Sequence, residues 1–256
     1  MSKNITDITT KIEARISKKI FNSDFDLNGL FESMLYSISG GKYFRSILLL
    51  GLCESGNNQQ IDLRIIDLCV AIEMMQTFTL IHDDLPAIDN DDYRRGKLSN
   101  HKKYGENVAI LTGDALLIDA FEIISSSSYE SDVVVKIINI FAKTFGSTGI
   151  VGGQFMDIKK NENIHKINYL KTAKFFILCG EIANVIGDIY DKKMIIDFCY
   201  NFGMLFQIVD DIKDGSLNSK SLEYKIISEK IILMKKEFFT NNDLIGFLVD
   251  SLVLDL

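Results

Sequence analysis

Two stretches of this chain are apolar on nearly every side, and each runs directly into aspartates. Between Ile61 and Asp84 the run includes Leu63, Ile65, Ile66, Leu68, Val70, Ile72, Met74, Met75, Phe78, Leu80 and Ile81. Between Ile195 and Asp214 it includes Phe198, Phe202, Met204, Leu205, Phe206, Ile208 and Val209. A helix that is apolar all round must be enclosed by other elements. The fold therefore has two central helices, and the rest of the chain wraps them. Apolar residues recur at helical spacing elsewhere too, which predicts helices near 5–21, 26–38, 44–54, 61–84, 106–128, 132–148, 166–188, 192–213 and 221–250. A single proline and 17 glycines leave few turn-forming sites, so long helices are favoured over a many-stranded sheet. The polar breaks at 53–60, 88–107 and 214–220 are too short to be linkers. The expectation is an all-α chain forming one domain over 1–256.

The acids demand a partner. The first run ends in "HDDLPAIDNDD", with five aspartates from Asp83 to Asp92, and the second ends in "VDDIKD". Negative charge at a helix C-terminus is unfavourable because the dipole there is already negative. Asp210 and Asp214 are four apart and share a helical face. Asp83 and Asp89 are six apart and on a regular helix would not, but Pro86 lies between them and breaks the helix. Clustered carboxylates relieve their repulsion by protonation or by binding a cation. Oxygen ligands without paired histidines or thiolates favour Mg²⁺, commonly shared with substrate phosphates. His82, alone beside the cluster, reads as a packing residue. One acid run could be a solvated helix end; two matched runs closing two central helices point to metal.

Basic residues lie close to the acids or to glycines. Arg94 and Arg95 follow the first cluster, Lys42 and Arg45 sit in "GGKYFRS", and Lys171 precedes Thr172. Such side chains beside acid-held magnesium suit phosphate oxygens. Apolar helix bodies beneath an acidic rim suit a substrate with a diphosphate head and a hydrocarbon tail. The net charge of −7 argues against general nucleic-acid binding. Cys53, Cys69, Cys179 and Cys199 have no metal-type spacing and read as reduced, buried thiols. The first twenty residues lack a signal-peptide core, and no apolar run reaches ~18 residues, so a cytoplasmic chain without a membrane span is expected.

These residues resemble the trans-isoprenyl diphosphate synthases, the polyprenyl synthetase family, and most of all the bacterial short-chain farnesyl diphosphate synthases. "DDLPAID" is similar to the family's first aspartate-rich motif and "DDIKD" to its second. "GGKYFRS", "MQTFTLIHDD", "GGQFMDI", "KTAKFF" and "FQIVDD" follow in the family's order, over about residues 35–214. The resemblance implies a bundle of mostly antiparallel helices around a central cavity (the isoprenoid synthase fold), usually a homodimer. It implies a Mg²⁺-dependent prenyltransferase that joins isopentenyl diphosphate head-to-tail to an allylic diphosphate and releases pyrophosphate. By the same resemblance Asp83, Asp84, Asp89, Asp210, Asp211 and Asp214 are the motif acids, with Asp83, Asp89 and Asp210 the direct ligands of about three ions. Gly41, Lys42, Arg45, Gln76 and Arg95 match the isopentenyl diphosphate positions. Arg94, Lys171, Thr172 and Gln207 match those around the allylic diphosphate.

Phe78 and Thr79 lie about one turn, roughly 6–7 Å, below Asp83. The family's short-chain members often carry an aromatic there, so Phe78 is expected to floor the tail shaft and favour a C15 product. Geranyl or geranylgeranyl diphosphate synthesis is the alternative product, and a noncatalytic or regulatory homologue the alternative role. A terpene cyclase fits less well, because "DDIKD" is unlike that family's second metal motif. The sequence departs from the family at Tyr43 and Ser46, where a basic residue and proline are more usual, and at Lys213 inside the second motif. The region after Asp214 is shortened, with Lys220 or Lys225 as a stand-in for the lysine that closes the allylic site.

Overall fold

The computed structural model describes residues 3–20, 27–56, 61–187, 191–218 and 221–253. The fold is all-α apart from one small hairpin. The helices are α1 (Lys3–Ile20), α2 (Asn28–Ile38), α3 (Phe44–Glu54), α4 (Leu63–Asp83), α5 (Asn100–Tyr104), α6 (Glu106–Ser125), α7 (Ser131–Phe145), α8 (Ile150–Ile158), α9 (Ile164–Asn168), α10 (Lys174–Ile186), α11 (Lys192–Lys213), α12 (Leu222–Phe238) and α13 (Asp243–Leu252). A π-helical turn, Tyr169–Ala173, joins α9 to α10, and strands β1 (Tyr93–Arg94) and β2 (Lys97–Leu98) form the hairpin. The described residues divide into two compact units, Met1–Ser46 with Asp62–Tyr129, and Ile47–Ile61 with Glu130–Leu256.

In the first unit α4 is the central helix. Asp62 caps its start, accepting from the backbone N–H of Arg64 at 2.9 Å and of Ile65 at 3.1 Å. Its buried residues fall on every side, from Leu68, Cys69 and Val70 to Met74 and Met75, as an enclosed helix requires. Helix α6 packs along it and α1 and α2 cover it. The isoleucines of α1 (Ile5, Ile8, Ile12, Ile16, Ile20) repeat every three or four residues and are all buried. Arg15 on α1 forks onto Asp67 of α4 at 2.6 and 2.8 Å.

In the second unit α11 plays the same part. Asp191 caps it through Met194 N–H at 2.9 Å, and α10, the π-turn, α12 and α13 pack against it. Phe198, Phe202 and Phe176 form its aromatic core, with Phe176 edge-on to Phe202 at 5.2 Å.

Five features differ from the sequence expectation. The helix expected over 132–148 stops at Phe145, and α8 follows separately. A Cβ at Gly149 would stand 1.9 Å from Thr144 O, so the chain turns there at a residue that only glycine can be. The helix expected over 221–250 is two, because Asn242 caps a new start through Ile245 N–H at 2.8 Å. The π-turn interrupts the helix expected over 166–188, and the hairpin lies in what reads as a polar break. By length and composition alone, two segments, Leu63–Asp83 and Ser131–Ile158, are long and apolar enough to cross a membrane, contrary to the expectation that none is. The first is 72% buried within the protein, as befits a core helix, and the second 33%.

Candidate active site

The first acid motif begins where α4 ends. Asp84 N–H closes the helix on Leu80 O, Ile88 N–H turns back to Leu85 O, and Asp89 N–H donates to Asp83 O at 2.9 Å. The chain around Pro86 thus doubles back and sets Asp89 beside Asp83. Asp83 is half-buried and Asp89 exposed. Asp84 points inward: its carboxylate is buried and accepts from Arg94 Nε at 2.9 Å and from Arg94 Nη2. Arg94 also donates to Asp91 at 2.9 Å. Burial works against the Arg94 charge, but Asp84 and Asp91 outweigh it and hold the guanidinium firmly charged.

The hairpin aims Arg95. Arg95 (φ 53°) and Gly96 (φ 75°) are both left-handed, as a type I′ two-residue turn requires. An arginine tolerates that conformation at a cost of about 1–3 kcal/mol. In return its guanidinium reaches α2, donating to Ser37 O at 3.0 Å and Ile38 O at 3.2 Å. There it lies against Gly41, where an added Cβ would meet it at 3.4 Å. The "GGKYFRS" loop and the "DDYRRGK" loop are thereby side by side in one unit. Lys42 is exposed and Arg45 half-buried on this side. Gln76 is half-buried on α4, and its Oε1 has no hydrogen-bond partner among the described residues. Sequence reasoning missed Glu73, one turn before Gln76: it is 4% exposed and accepts from Ser46 Oγ at 2.6 Å. The only signal for it was an acid inside an apolar run.

Phe78 is buried, with its ring edge-on to His82 at 5.4 Å. Thr79 is half-buried and donates to Gln76 O at 2.9 Å. His82 Nε2 lies 3.2 Å from Ile110 O, in a slot over Gly113 that an alanine would fill.

In the second unit the π-turn carries Lys171 and Thr172. A π-turn inserts an extra residue per turn and is frequent at functional sites. Here it places Thr172 Oγ1 2.7 Å from Gln207 Oε1 on α11, while Gln207 Nε2 donates to Asp211 at 2.9 Å. One relay therefore links the "KT" pair to the second acid motif. Asp210 and Asp211 are half-buried and Asp214 is exposed. Lys171 Nζ is held at 2.5 Å by Asp157, the acid of "GGQFMDI", which sequence reasoning quoted but assigned no role. Lys225 is exposed on α12, and Lys220 lies outside the described residues.

The donor chemistry suits magnesium: carboxylate oxygens at two helix ends, half-buried or exposed. Among the described residues no three acids, histidines or cysteines are gathered closely enough to hold an ion by themselves. Mg²⁺ is usually held by one or two carboxylates plus substrate phosphates rather than by an all-protein cage.

The sequence from residue 28 to 232 matches the family described as polyprenyl synthetase. The chain belongs to that family. Among curated polyprenyl synthetase relatives, it is 39% identical over 230 residues to the farnesyl diphosphate synthase of Buchnera aphidicola subsp. Schizaphis graminum, covering 82% of this chain and 77% of the relative. It is 40% identical over 199 residues to the geranylgeranyl diphosphate synthase of Cyanophora paradoxa, covering 72% and 65%. The chain spans 61%, 77% and 66% of the length of the first curated relatives it matches. An FPP/GFPP synthase from Zymomonas mobilis has a similar solved structure, with TM-score 0.86, 28% identity and 96% of each chain covered. The fold is accordingly the all-α isoprenoid synthase fold.

Proposed function

We propose that this polyprenyl synthetase condenses isopentenyl diphosphate head-to-tail with dimethylallyl or geranyl diphosphate to give a short-chain prenyl diphosphate, chiefly farnesyl diphosphate. The observation that carries this reading is the approach of two separately encoded cationic loops, with Arg95 lying against Gly41 beside Lys42 and Arg45. A second phosphate-binding corner of this kind is what a two-diphosphate condensation needs and a one-diphosphate cyclase does not.

In this reading Lys42, Arg45, Gln76 and Arg95 hold isopentenyl diphosphate. Lys171, Thr172, Gln207 and Arg94 surround the allylic diphosphate. Asp83, Asp89 and Asp210 take Mg²⁺, about three ions by family resemblance, while Asp84, Asp211 and Asp214 orient those around them. Bound magnesium would neutralise charge gathering on the departing pyrophosphate. The protein's own part is electrostatic and positional. Lys171 leaves Asp157 for phosphate oxygens, the Thr172–Gln207–Asp211 relay fixes the leaving-group side, and the apolar helix bodies keep water from the allylic cation. The isopentenyl double bond attacks that cation, and the proton released is taken by pyrophosphate, so no side-chain base is required.

Phe78, buried beneath Asp83, supports a C15 product. The likeness to a geranylgeranyl diphosphate synthase favours the longer product as the second reading. A homodimer is proposed, supported by the exposed Ile110, Leu111 and Ile118 on α6, and a cytoplasmic location by the reduced buried thiols. The test is incubation with isopentenyl diphosphate, Mg²⁺ and allylic partners of five, ten and fifteen carbons, with products sized. C15 accumulation is expected; no condensation with any partner overturns the proposal in favour of a noncatalytic homologue.

A further inference from the structure

Glu73 has no place in the diphosphate machinery described so far, yet its position demands an explanation. It is a carboxylate inside the most enclosed helix of its unit, 4% exposed among Met74, Met75, Ile72 and Cys69. Burying an acid in such surroundings is unfavourable unless it is paired and hydrogen-bonded. A core position with no further duty would be served better by an apolar side chain of the same volume.

Its surroundings are specific. Ser46 Oγ donates to Glu73 Oε1 at 2.6 Å, a short bond between buried groups. Ser46 directly follows Arg45 at the start of α3. Gln76 lies three residues further along the same face of α4. Burial pushes the Glu73 carboxyl up overall, and the Ser46 hydroxyl and the charges of Arg45 and Arg95, all acting on Glu73, work against that rise. Tyr43, left-handed at φ 54°, turns the loop into this corner and donates to Glu13 of α1 at 2.9 Å, so it does not compete for Glu73. Arg95 in turn is fixed from its other side by Ser37 O and Ile38 O.

We infer that Glu73 is a positioning residue for the isopentenyl diphosphate half of the site: its buried carboxylate, locked by Ser46, sets the orientation of Arg45 and Arg95. The inference rests on the proposed condensation. Arg45 and Arg95 each feel the charge of Glu73, and an anion held there keeps the two guanidiniums in place before a diphosphate arrives. Ser46 is part of the device, since its hydroxyl holds Glu73 Oε1 in place. The allylic side, with Lys171, Thr172 and Gln207, makes no use of Glu73.

The test uses the full chain with Glu73→Gln, which keeps the shape and an acceptor for Ser46 but removes the charge, and Ser46→Ala as a milder second variant. Isopentenyl diphosphate binding is measured directly by calorimetry, and steady-state kinetics are run against each substrate in turn. For Glu73→Gln, the KM and the dissociation constant for isopentenyl diphosphate are expected to rise on the order of tenfold, the weight of one misaligned charge-assisted contact. The KM for the allylic diphosphate stays within about twofold. Ser46→Ala moves the same constants the same way by less. Unchanged isopentenyl diphosphate affinity in both variants overturns the inference. So do equal losses for the two substrates, which would mark a merely structural role. A parent protein that neither binds isopentenyl diphosphate nor condenses it overturns the proposed function itself, a result separable from either of these.

Discussion

The closest backbone approach near the allylic residues is at Gly203, and it offers a quantitative test. Gly203 lies on α11 one turn before Gln207, facing the π-turn. A Cβ placed there would lie 2.5 Å from Ala173 Cα and 3.1 Å from both Ala173 Cβ and Phe176 Cδ2. Ordinary contact starts at 3.4 Å, so Gly203→Ala must open this packing by about 0.9 Å. The nearest atom is backbone, which cannot swing aside as a long side chain would. Overpacking of this kind costs about 1–3 kcal/mol, while alanine returns roughly 1 kcal/mol of helix propensity. The net loss is therefore about 0–2 kcal/mol, and the protein should fold. The consequence for the site is larger. Thr172 precedes Ala173, and its bond to Gln207 is 2.7 Å; opened by most of an ångström it is no longer a hydrogen bond. Misplacement on this scale can lower turnover by as much as ~10²-fold. Urea denaturation gives the first quantity and steady-state kinetics the second. Gly246→Ala is the control, because among the described residues a Cβ there meets only the flexible end of Lys235, Cε at 3.8 Å and Nζ at 3.9 Å. It should be stabilising by about 0.4–1 kcal/mol with full activity. If Gly203→Ala behaves like the control in both assays, the close approach does not position the Thr172–Gln207 pair.

Three further outcomes are expected. Asp83→Ala and Asp210→Ala should each lower turnover by at least ~10²-fold, as should chelating Mg²⁺; near-normal product formation in either variant would remove the metal assignment. Phe78→Ala should lengthen the products seen by chromatography and lower stability by about 3–5 kcal/mol in a chemical melt, since a buried ring is lost; an unchanged product spectrum would release Phe78 from the chain-length role. All four cysteines are buried thiols outside any disulfide, and burial pushes the Cys199 thiol up. An aromatic disulfide reagent should accordingly find four thiols only after denaturant is added, and prompt reaction of any thiol in the native protein would contradict the packing.

Much of the fold was legible because burial leaves a period in the sequence. The isoleucine stripe of α1 and the all-round apolarity of α4 and α11 are direct consequences of which faces touch other helices. The missed features have causes that no local pattern carries. The break between α7 and α8 comes from a carbonyl, Thr144 O, standing where a side chain at Gly149 would go. The hairpin was hidden because its left-handed first turn residue is Arg95, where asparagine, aspartate or glycine would have signalled a type I′ turn. The π-turn keeps an apolar helical pattern on both sides and shows itself only in the direction Lys171 and Thr172 point. In the site, positions could be read where charge interrupts apolarity, as at Asp83 and Asp210. Partners could not: nothing in the sequence pairs Lys171 with Asp157, Arg94 with Asp84, or Glu73 with Ser46.

Those partners divide the site's cations into two kinds. Lys171 and Asp157 form a partly exposed pair, 25% and 47% accessible in their side chains. Pairs of that exposure contribute about 0–1 kcal/mol, so a diphosphate can take Lys171 over at little cost. Arg94 is bound differently, because the Asp84 carboxylate is only 3% exposed. Pulling Arg94 away would strand a buried charge, at about 3–5 kcal/mol. A guanidinium has five N–H donors and can serve a buried carboxylate and a phosphate together. In the proposed reaction Lys171 therefore changes partners with each turnover, whereas Arg94 keeps Asp84 throughout and adds the phosphate. Asp84, the buried acid of its motif, then acts by holding that arginine in place beside the half-buried Asp83 and the exposed Asp89.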